Sequence, residues 1–271
     1  MTNSNSKQIV DEKNGVMIRV DKTLKEMMDE KPSSRWDVDY WQPRFDSLFN
    51  DIKFKLQILG DFIFPGTKGI TYGSTKPREW SKKENGVGYI KSVNVRNTGL
   101  DTVNIFWTPE GGNLDGKQYR IKIDDIIMNK SGTGTFGRLF VVIKELGKIV
   151  VSQDTMRIRV KGISPYFVAV YLQSNHGINQ ILRLTAGVSG QVHIDFEDIK
   201  SIKIPMLPRE IQEQVSNEYK KLAEYHEKAM EAKKENNESE YQRNLKTAEE
   251  MLNNLIKKTE QVIRGERKDV V

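Results

Sequence analysis

The sequence predicts a mixed α/β fold of the α+β kind, a strand-rich domain followed by a long coiled-coil-forming helical region. Two observations predict it. Residues 61–165 break into short apolar or alternating runs separated by Gly, Asn and Asp, the pattern of strands joined by turns. After Pro208 neither Gly nor Pro occurs until Gly265, and apolar residues recur at spacings of four and three, the seam of a coiled coil. With 271 residues, 37% hydrophobic and 30% charged, at a mean hydropathy of -0.60, the chain can bury a core and carry a solvated appendage. The division reads as a tail with a short helix over 1–35, a mixed domain over 36–208 and a helical region over 209–271.

The first segment opens on the polar TNSNSKQ and includes the amphipathic run LKEMMDE. Over 37–57, Tyr40, Phe45, Leu48, Phe49, Ile52 and Leu56 recur at three and four, with Asp37 as a cap and Pro43 near the start, which predicts an amphipathic helix. Strands follow in DFIFPG, GYIKSVNV, NIFW, QYRIKIDDIIMN, RLFVVI, KIVVS and TMRIRV. Residues 165–183 read as a helix capped by Ser164 with Pro165 in its first position. The stretch 187–214 reads as a strand approach, a short helical segment, an apolar strand ending on Pro205 and Pro208, and a long helix.

In the last region Ile211, Val215, Glu218, Leu222, Tyr225, Ala229 and Ala232 form one seam, and Tyr241, Leu245, Ala248, Leu252, Leu255, Thr259 and Val262 another. The two are offset by two residues across KKENNESE at 233–240. One long helix with a register adjustment and two helices joined by a turn both satisfy this spacing. Left uncovered by the chain itself, such a stripe would be buried in an antiparallel homodimer, with Ile211, Val215, Leu222, Leu245, Leu252, Leu255 and Val262 as the dimerisation contacts.

Composition removes several classes of function. There is no cysteine and there are three scattered histidines, His176, His193 and His226, so no disulfide, thiolate metal site or cofactor is expected. The longest apolar run, FVAVYL at 167–172, is far short of a membrane span, and no basic-then-apolar leader opens the chain, so no membrane partner and a cytoplasmic location are expected. Charge is concentrated: residues 66–161 hold 17 basic and 9 acidic side chains, whereas 209–271 hold 13 and 14. A basic, strand-built surface suits the phosphates of a nucleic acid. The competing reading is a coiled-coil adaptor whose basic domain binds an acidic protein.

SGTGTFGRLFVVIK at 131–144 contains a literal G-x-G-x-x-G in Gly132, Gly134 and Gly137, with Lys144 on the strand that leaves it. A kinase places a further strand before its lysine and needs HRD and DFG motifs, and a dinucleotide fingerprint needs a helix after the last glycine. This chain has none of these, so the glycines read as a hairpin connection with positive dihedrals, flanked by Lys130 and Arg138 where small side chains would admit a phosphate backbone.

Seven segments resemble, in order, the DNA specificity subunits of type I restriction-modification systems. RWDVDYWQPRFDSL resembles their leading helix, LGDFIFPGTKGITYGST the opening strand and glycine loop, and GYIKSVNVRNTGL the next strand and turn. IKIDDIIMNKSGTGTFG resembles a "GDIL" strand with its Ser-Gly-Thr-x-Gly loop, although Asp124-Asp125-Ile126-Ile127 lacks the glycine. VSQDTMRIRV, PYFVAVYLQS and IPMLP complete the series, which spans 36–262. The resemblance implies a non-catalytic half-subunit from a prokaryotic cytoplasm, with one target recognition domain where the family usually has two. It implies double-stranded DNA, methyltransferase subunits and restriction/translocase subunits as partners, and a homodimer would then read a bipartite palindrome. Lys68, Lys76, Arg78, Lys82, Lys83, Lys130 and Arg138 are candidate phosphate contacts. Ser74, Thr75, Asn94, Arg96, Asn97, Thr133 and Thr135 are candidate base readers, since Arg pairs with guanine, Asn with adenine and Thr methyls with thymine. Tyr72, Trp80 and Trp107 stand near these loops but, as single aromatics among strands, read first as core.

Overall fold

The computed structural model describes residues 45, 47–73, 78–82, 86–112, 116, 119–185 and 192–271. Among these, a four-stranded sheet lies between a second, smaller sheet and a layer of helices, and for that reason its strands are buried on both faces except at Tyr72. The four strands run in the order β2 (Ile70–Tyr72), β8 (Thr155–Ile158), β5 (Ile126–Asn129), β6 (Leu139–Val141), all antiparallel. Side chains alternate across a strand. Ile126, Met128, Leu139, Val141, Met156 and Ile158 therefore face the helices, while Ile127 and Phe140 face the other sheet.

The smaller sheet has the order β4 (Phe106–Pro109), β3 (Gly86–Ile90), β7 (Ile149–Val151), with β3 parallel to β7. Its Ile90, Ile149 and Val151 join Ile127, Phe140 and Val142 in the inter-sheet core. A short pair, β1 (Leu56–Ile58) with β9 (Lys203–Pro205), closes the domain where the chain enters and leaves it.

The helical layer begins with α1 (Pro165–Leu172), which Ser164 caps by accepting from Phe167 N at 3.2 Å. From Tyr166 to Leu172 every residue is buried, as befits a helix apolar on all sides. The single helix expected over 165–183 is two. Ser174 interrupts it, its side chain accepting from Gly177 N to cap α2 (Asn175–Leu184). Gly177 permits the close crossing, since a Cβ there would lie 2.2 Å from the Tyr171 carbonyl. The helix expected over 37–57 is not formed across its described part. Ser47–Asp51 make turns and Leu56–Ile58 are taken by the β9 ladder, while residues 36–44 with Asp37, Tyr40 and Pro43 lie outside the described residues.

A short α3 (Phe196–Ser201) and β9 lead into α4 (Arg209–Lys234), which folds back on α5 (Glu238–Ile263). KKENNESE therefore resolves as a turn. Asn236 adopts φ 58, the left-handed conformation Asn tolerates, and Asn237 caps α5 by accepting from Glu240 N at 3.2 Å. Each helix of 26 residues spans about 39 Å.

The fold-back corrects the expected dimer seam. Ile211, Val215, Leu222, Leu252, Leu255 and Val262 are buried inside this chain, in the core that also holds the strands, and Leu245 is half-buried. Here the helices' apolar stripes cover one another and the sheet. Tyr219, fully buried on α4, accepts a hydrogen bond from Val141 N on the edge strand β6 at 3.0 Å. Tyr219→Phe would leave that buried amide without an acceptor and is expected to cost about 1–3 kcal/mol in chemical denaturation.

Candidate nucleic-acid interface

The strand directions gather five connections at one end of the two sheets. β2 leaves this end through Gly73, β8 enters it from the 152–154 turn, and β5 and β6 are joined there by residues 130–138. β3 leaves it into residues 91–97, and residue 193 arrives by a bridge to Ser131. The ties are specific. Gly73 N donates to Ser152 O, Ser152 N to Ile90 O, and Lys130 N to Asp154 O, each at 3.0 Å. Buried Asn129 donates through its amide to both Ser92 O (2.8 Å) and Thr135 O (2.9 Å), binding two of the loops together.

The glycine-rich connection is a hairpin, with φ of 113, 72 and 76 at Gly132, Gly134 and Gly137. Arg138 donates from Nη2 to Gly134 O at 2.8 Å and so braces its own loop. Thr133 is exposed, whereas the Thr135 hydroxyl turns in against Gly132. Lys144, beyond the other end of β6, pairs with Glu227 of α4 at 2.7 Å, a tether to the helices.

Exposed rings with cations on their faces mark this end. Tyr72 is 46% exposed, stacked on Phe196 at 4.7 Å, with Lys130 Nζ 4.8 Å from its centroid. Trp80 (52% exposed) and Phe106 (42%) lie 5.3 Å apart, with Lys91 Nζ 5.0 and 3.3 Å from their centroids. Tyr72 and Trp80 are therefore not core, and Trp107 is half-buried. Such cation-and-ring surfaces offer charge to phosphates and flat apolar faces to sugars and bases. Sequence reasoning passed over Lys91, Phe106 and His193. The signal for Phe106 was its place in the short run NIFW, directly after turn residues, where a ring at the start of a strand has neighbours on one side only.

Of the candidates, Arg96, Asn97, Thr133, Thr135, Lys130 and Arg138 lie on the gathered loops, and Arg78 leads into Trp80. Ser74, Thr75, Lys76 and Lys83 lie outside the described residues. Asn94 is a correction: it is 1% exposed, accepting from Lys91 N at 2.9 Å and donating to Asn104 O at 3.0 Å, so it braces the turn and presents no edge to a base. Lys68 precedes β2 at the opposite end, where its carbonyl accepts from Arg157, and Lys82 lies beside Gly86 at the far end of β3.

That far end holds its own charges. Arg159 pairs with buried Asp125, and Arg157, 1% exposed, donates to the carbonyls of Arg120 and Thr67. Burial, with Arg159 alongside, brings the Arg157 pKa down to about 10. These groups are spent on carbonyls and a carboxylate inside the fold.

On the other flank, the 94–101 turn rests on α4. His226 is buried between Thr98 Oγ1 (2.8 Å from Nδ1) and the Leu100 carbonyl (3.0 Å from Nε2). A carbonyl only accepts, so Nε2 carries the proton. Burial holds the His226 pKa below its ordinary value, against the opposing pull of Leu100 O, Asp101 and Glu227. The neutral ring is the native form, so the unfolded chain binds the extra proton. Its contribution to stability is complete above about pH 6.5 and is lost as pH falls through the depressed native value. Denaturation of wild type and His226→Leu at pH 7 and pH 5 should show the smaller pH dependence in the variant.

A strand-built domain whose loops gather cations and exposed rings at one end is mounted on a helical hairpin. The sequence matches the model of the type I restriction modification DNA specificity domain over residues 70–238, and the chain belongs to that family. No curated protein sequence matches it. Among solved structures it is similar to the S subunit of a type I restriction-modification system from M. genitalium, with 14% identity, a TM-score of 0.43, and coverage of 68% of this chain and 42% of that one. The HsdS subunit from Thermoanaerobacter tengcongensis gives 17%, 0.44, 67% and 46%. A chain from a structure concerned with complex assembly and conformational transition of the type I system gives 13%, 0.44, 79% and 52%. The chain thus spans about half the length of the solved structures it matches. Among the described residues no helix is long and apolar enough to cross a membrane.

Proposed function

We propose that this chain reads duplex DNA and brings methyltransferase subunits, and the restriction subunits of a type I complex where present, to the sequence it selects. The observation that carries the reading is the gathering of cation-bearing loops and exposed rings at one end of the sheets, inside the segment matched by the family model. In this reading Lys91, Lys130, Arg138 and Arg78 hold phosphates, and Lys76, three residues after Gly73 in sequence, is a further candidate. Arg96, Asn97 and Thr133 address base edges, joined by Ser74 and Thr75, and Trp80, Phe106 and Tyr72 pack on sugars. The chain's part is recognition, and the chemistry belongs to its partners.

A bipartite target needs a second recognition domain. A second copy that supplied it by docking on this hairpin would meet the outer faces of the helices, since Ile211, Val215, Leu222, Leu252, Leu255 and Val262 are occupied within the chain. Mapping methylated adenines across the genome with and without the gene tests the reading. A set of sites modified only in its presence, sharing one sequence, is the expected result, and identical maps would refute it.

A further inference from the structure

The turn that carries Arg96 and Asn97 does not stand alone. Val95 and Leu100 bridge its base, and Arg96 and Gly99 exchange backbone hydrogen bonds of 3.0 and 3.4 Å across it. Its inner side is held by a helix more than 120 residues away in sequence. Thr98 and Leu100 grip His226, and Asp101, 3% exposed, takes Lys233 Nζ on Oδ2 at 2.7 Å. His226 and Lys233 are seven residues apart, two turns along one face of α4. Gly99 makes the approach possible, because a Cβ there would lie 2.4 Å from the imidazole.

We propose that Thr98, Asp101, His226 and Lys233 form a latch that positions the Arg96–Asn97 turn for base recognition, so that the helical hairpin sets the pose of a reading element it does not carry. The inference rests on the reading of this end of the sheets as the DNA contact.

The chemistry of the contact favours positioning over cohesion. An ion pair with a buried carboxylate and a half-buried ammonium, and a neutral histidine between two fixed partners, add little net stability beyond what apolar side chains of the same size would give, but they accept one relative orientation. Asp101 is committed in all directions. Oδ1 accepts from Val103 N and Asn104 N, and Oδ2 from Lys233 and the Asn104 amide. Burial alone would raise its carboxyl, yet Lys233 and these donors hold it below the ordinary value. Lys144 to Glu227 adds a third tie, between the chain leaving β6 and the same helix. Arg96 is half-exposed and Asn97 exposed. The pose of their side chains over a base pair therefore depends on where α4 stands, and anything that shifts the hairpin shifts the readout.

The full chain, its Lys233→Met and Thr98→Val variants, and Lys233→Arg are each used to select from a random-sequence duplex library, with thermal unfolding and the salt dependence of binding measured alongside. Neither Lys233→Met nor Thr98→Val removes a group placed on DNA. Thr98→Val exchanges a hydroxyl for a methyl, so it carries the test should Lys233→Met fail to fold. Wild type is expected to select a motif. Both Lys233→Met and Thr98→Val should lose preference at the same one or two positions by about tenfold, the worth of one good base contact, at an unchanged salt slope, and Lys233→Arg should restore it. Folded variants that select the wild-type motif at every position overturn the latch while leaving the DNA reading intact. A wild-type chain that selects no motif overturns both.

Discussion

Replacing Lys91 and Lys130 together by alanine is expected to weaken duplex binding about 30-fold at roughly 0.15 M salt and to flatten the slope of log K against log salt by about 1.8. Each phosphate neutralised releases about 0.9 counterion, which at that salt is worth a factor of about 5.5, and two contacts multiply. Both cations are held in place by rings, Lys91 by Phe106 and Trp80 and Lys130 by Tyr72, so little freedom is lost when a phosphate arrives. The control is built into the fold. Lys68→Ala with Lys82→Ala removes the same charge from the opposite end of the sheets and should change affinity only through net charge, by about twofold or less. Fluorescence anisotropy with one duplex at several salt concentrations measures both the affinities and the slopes. Equal losses in the two double variants would mean that the protein attracts DNA by overall charge and that the gathered end is not the contact.

Gly73→Ala should lower stability by about 3 kcal/mol, the upper part of the range for forcing a group into filled space, which for a chain of this size is a fall of roughly 6–12 °C in Tm. A Cβ on Gly73 would lie 1.5 Å from the Val151 carbonyl oxygen, and that atom is backbone and cannot swing aside. The glycine stands where β2 leaves the sheet, donating to Ser152 O at 3.0 Å, at the joint between the two sheets and directly before residues 74–77. The same substitution therefore misplaces the connections gathered there and should reduce DNA binding beyond the fraction unfolded. Gly134→Ala provides the contrast. Its φ is 72 and nothing lies within 4 Å of an added Cβ, so only the left-handed backbone is penalised, at about 1–2 kcal/mol. Calorimetric melting separates the two, and a Gly73→Ala Tm equal to that of Gly134→Ala would contradict the close approach of the sheets.

Much of the architecture was legible because it is local. Ser164 and Pro165 start α1 where the chain says they should, the α3–β9–α4 order follows from 187–214, and the three glycines of the hairpin take the positive dihedrals their spacing implies. The turn at KKENNESE was also written locally, in an Asn able to adopt the left-handed conformation beside an Asn able to cap, but the heptad spacing on either side obscured it. Misreadings arose where a tertiary partner outweighed local preference. Leu56 satisfies the spacing of an amphipathic helix and yet pairs with Pro205 in a ladder closed by residues some 150 positions away. Asn94 has the chemistry of an adenine reader, but the carbonyl of Asn104 takes its amide.

By itself the amino-acid order determined that this is a strand-rich basic domain with an amphipathic helical extension, because periodicity, capping and charge are properties of neighbours along the chain, and the order of its segments carried the resemblance to the type I specificity family. Only the folded molecule decided that the helices form a hairpin that covers its own seam, and which cations share one end of the sheets while Lys68 and Lys82 do not. It also brought Asp101 against Lys233. Those outcomes depend on strand direction and on contacts across more than a hundred residues, where the free energy of burial, rather than any local rule, selects the partner.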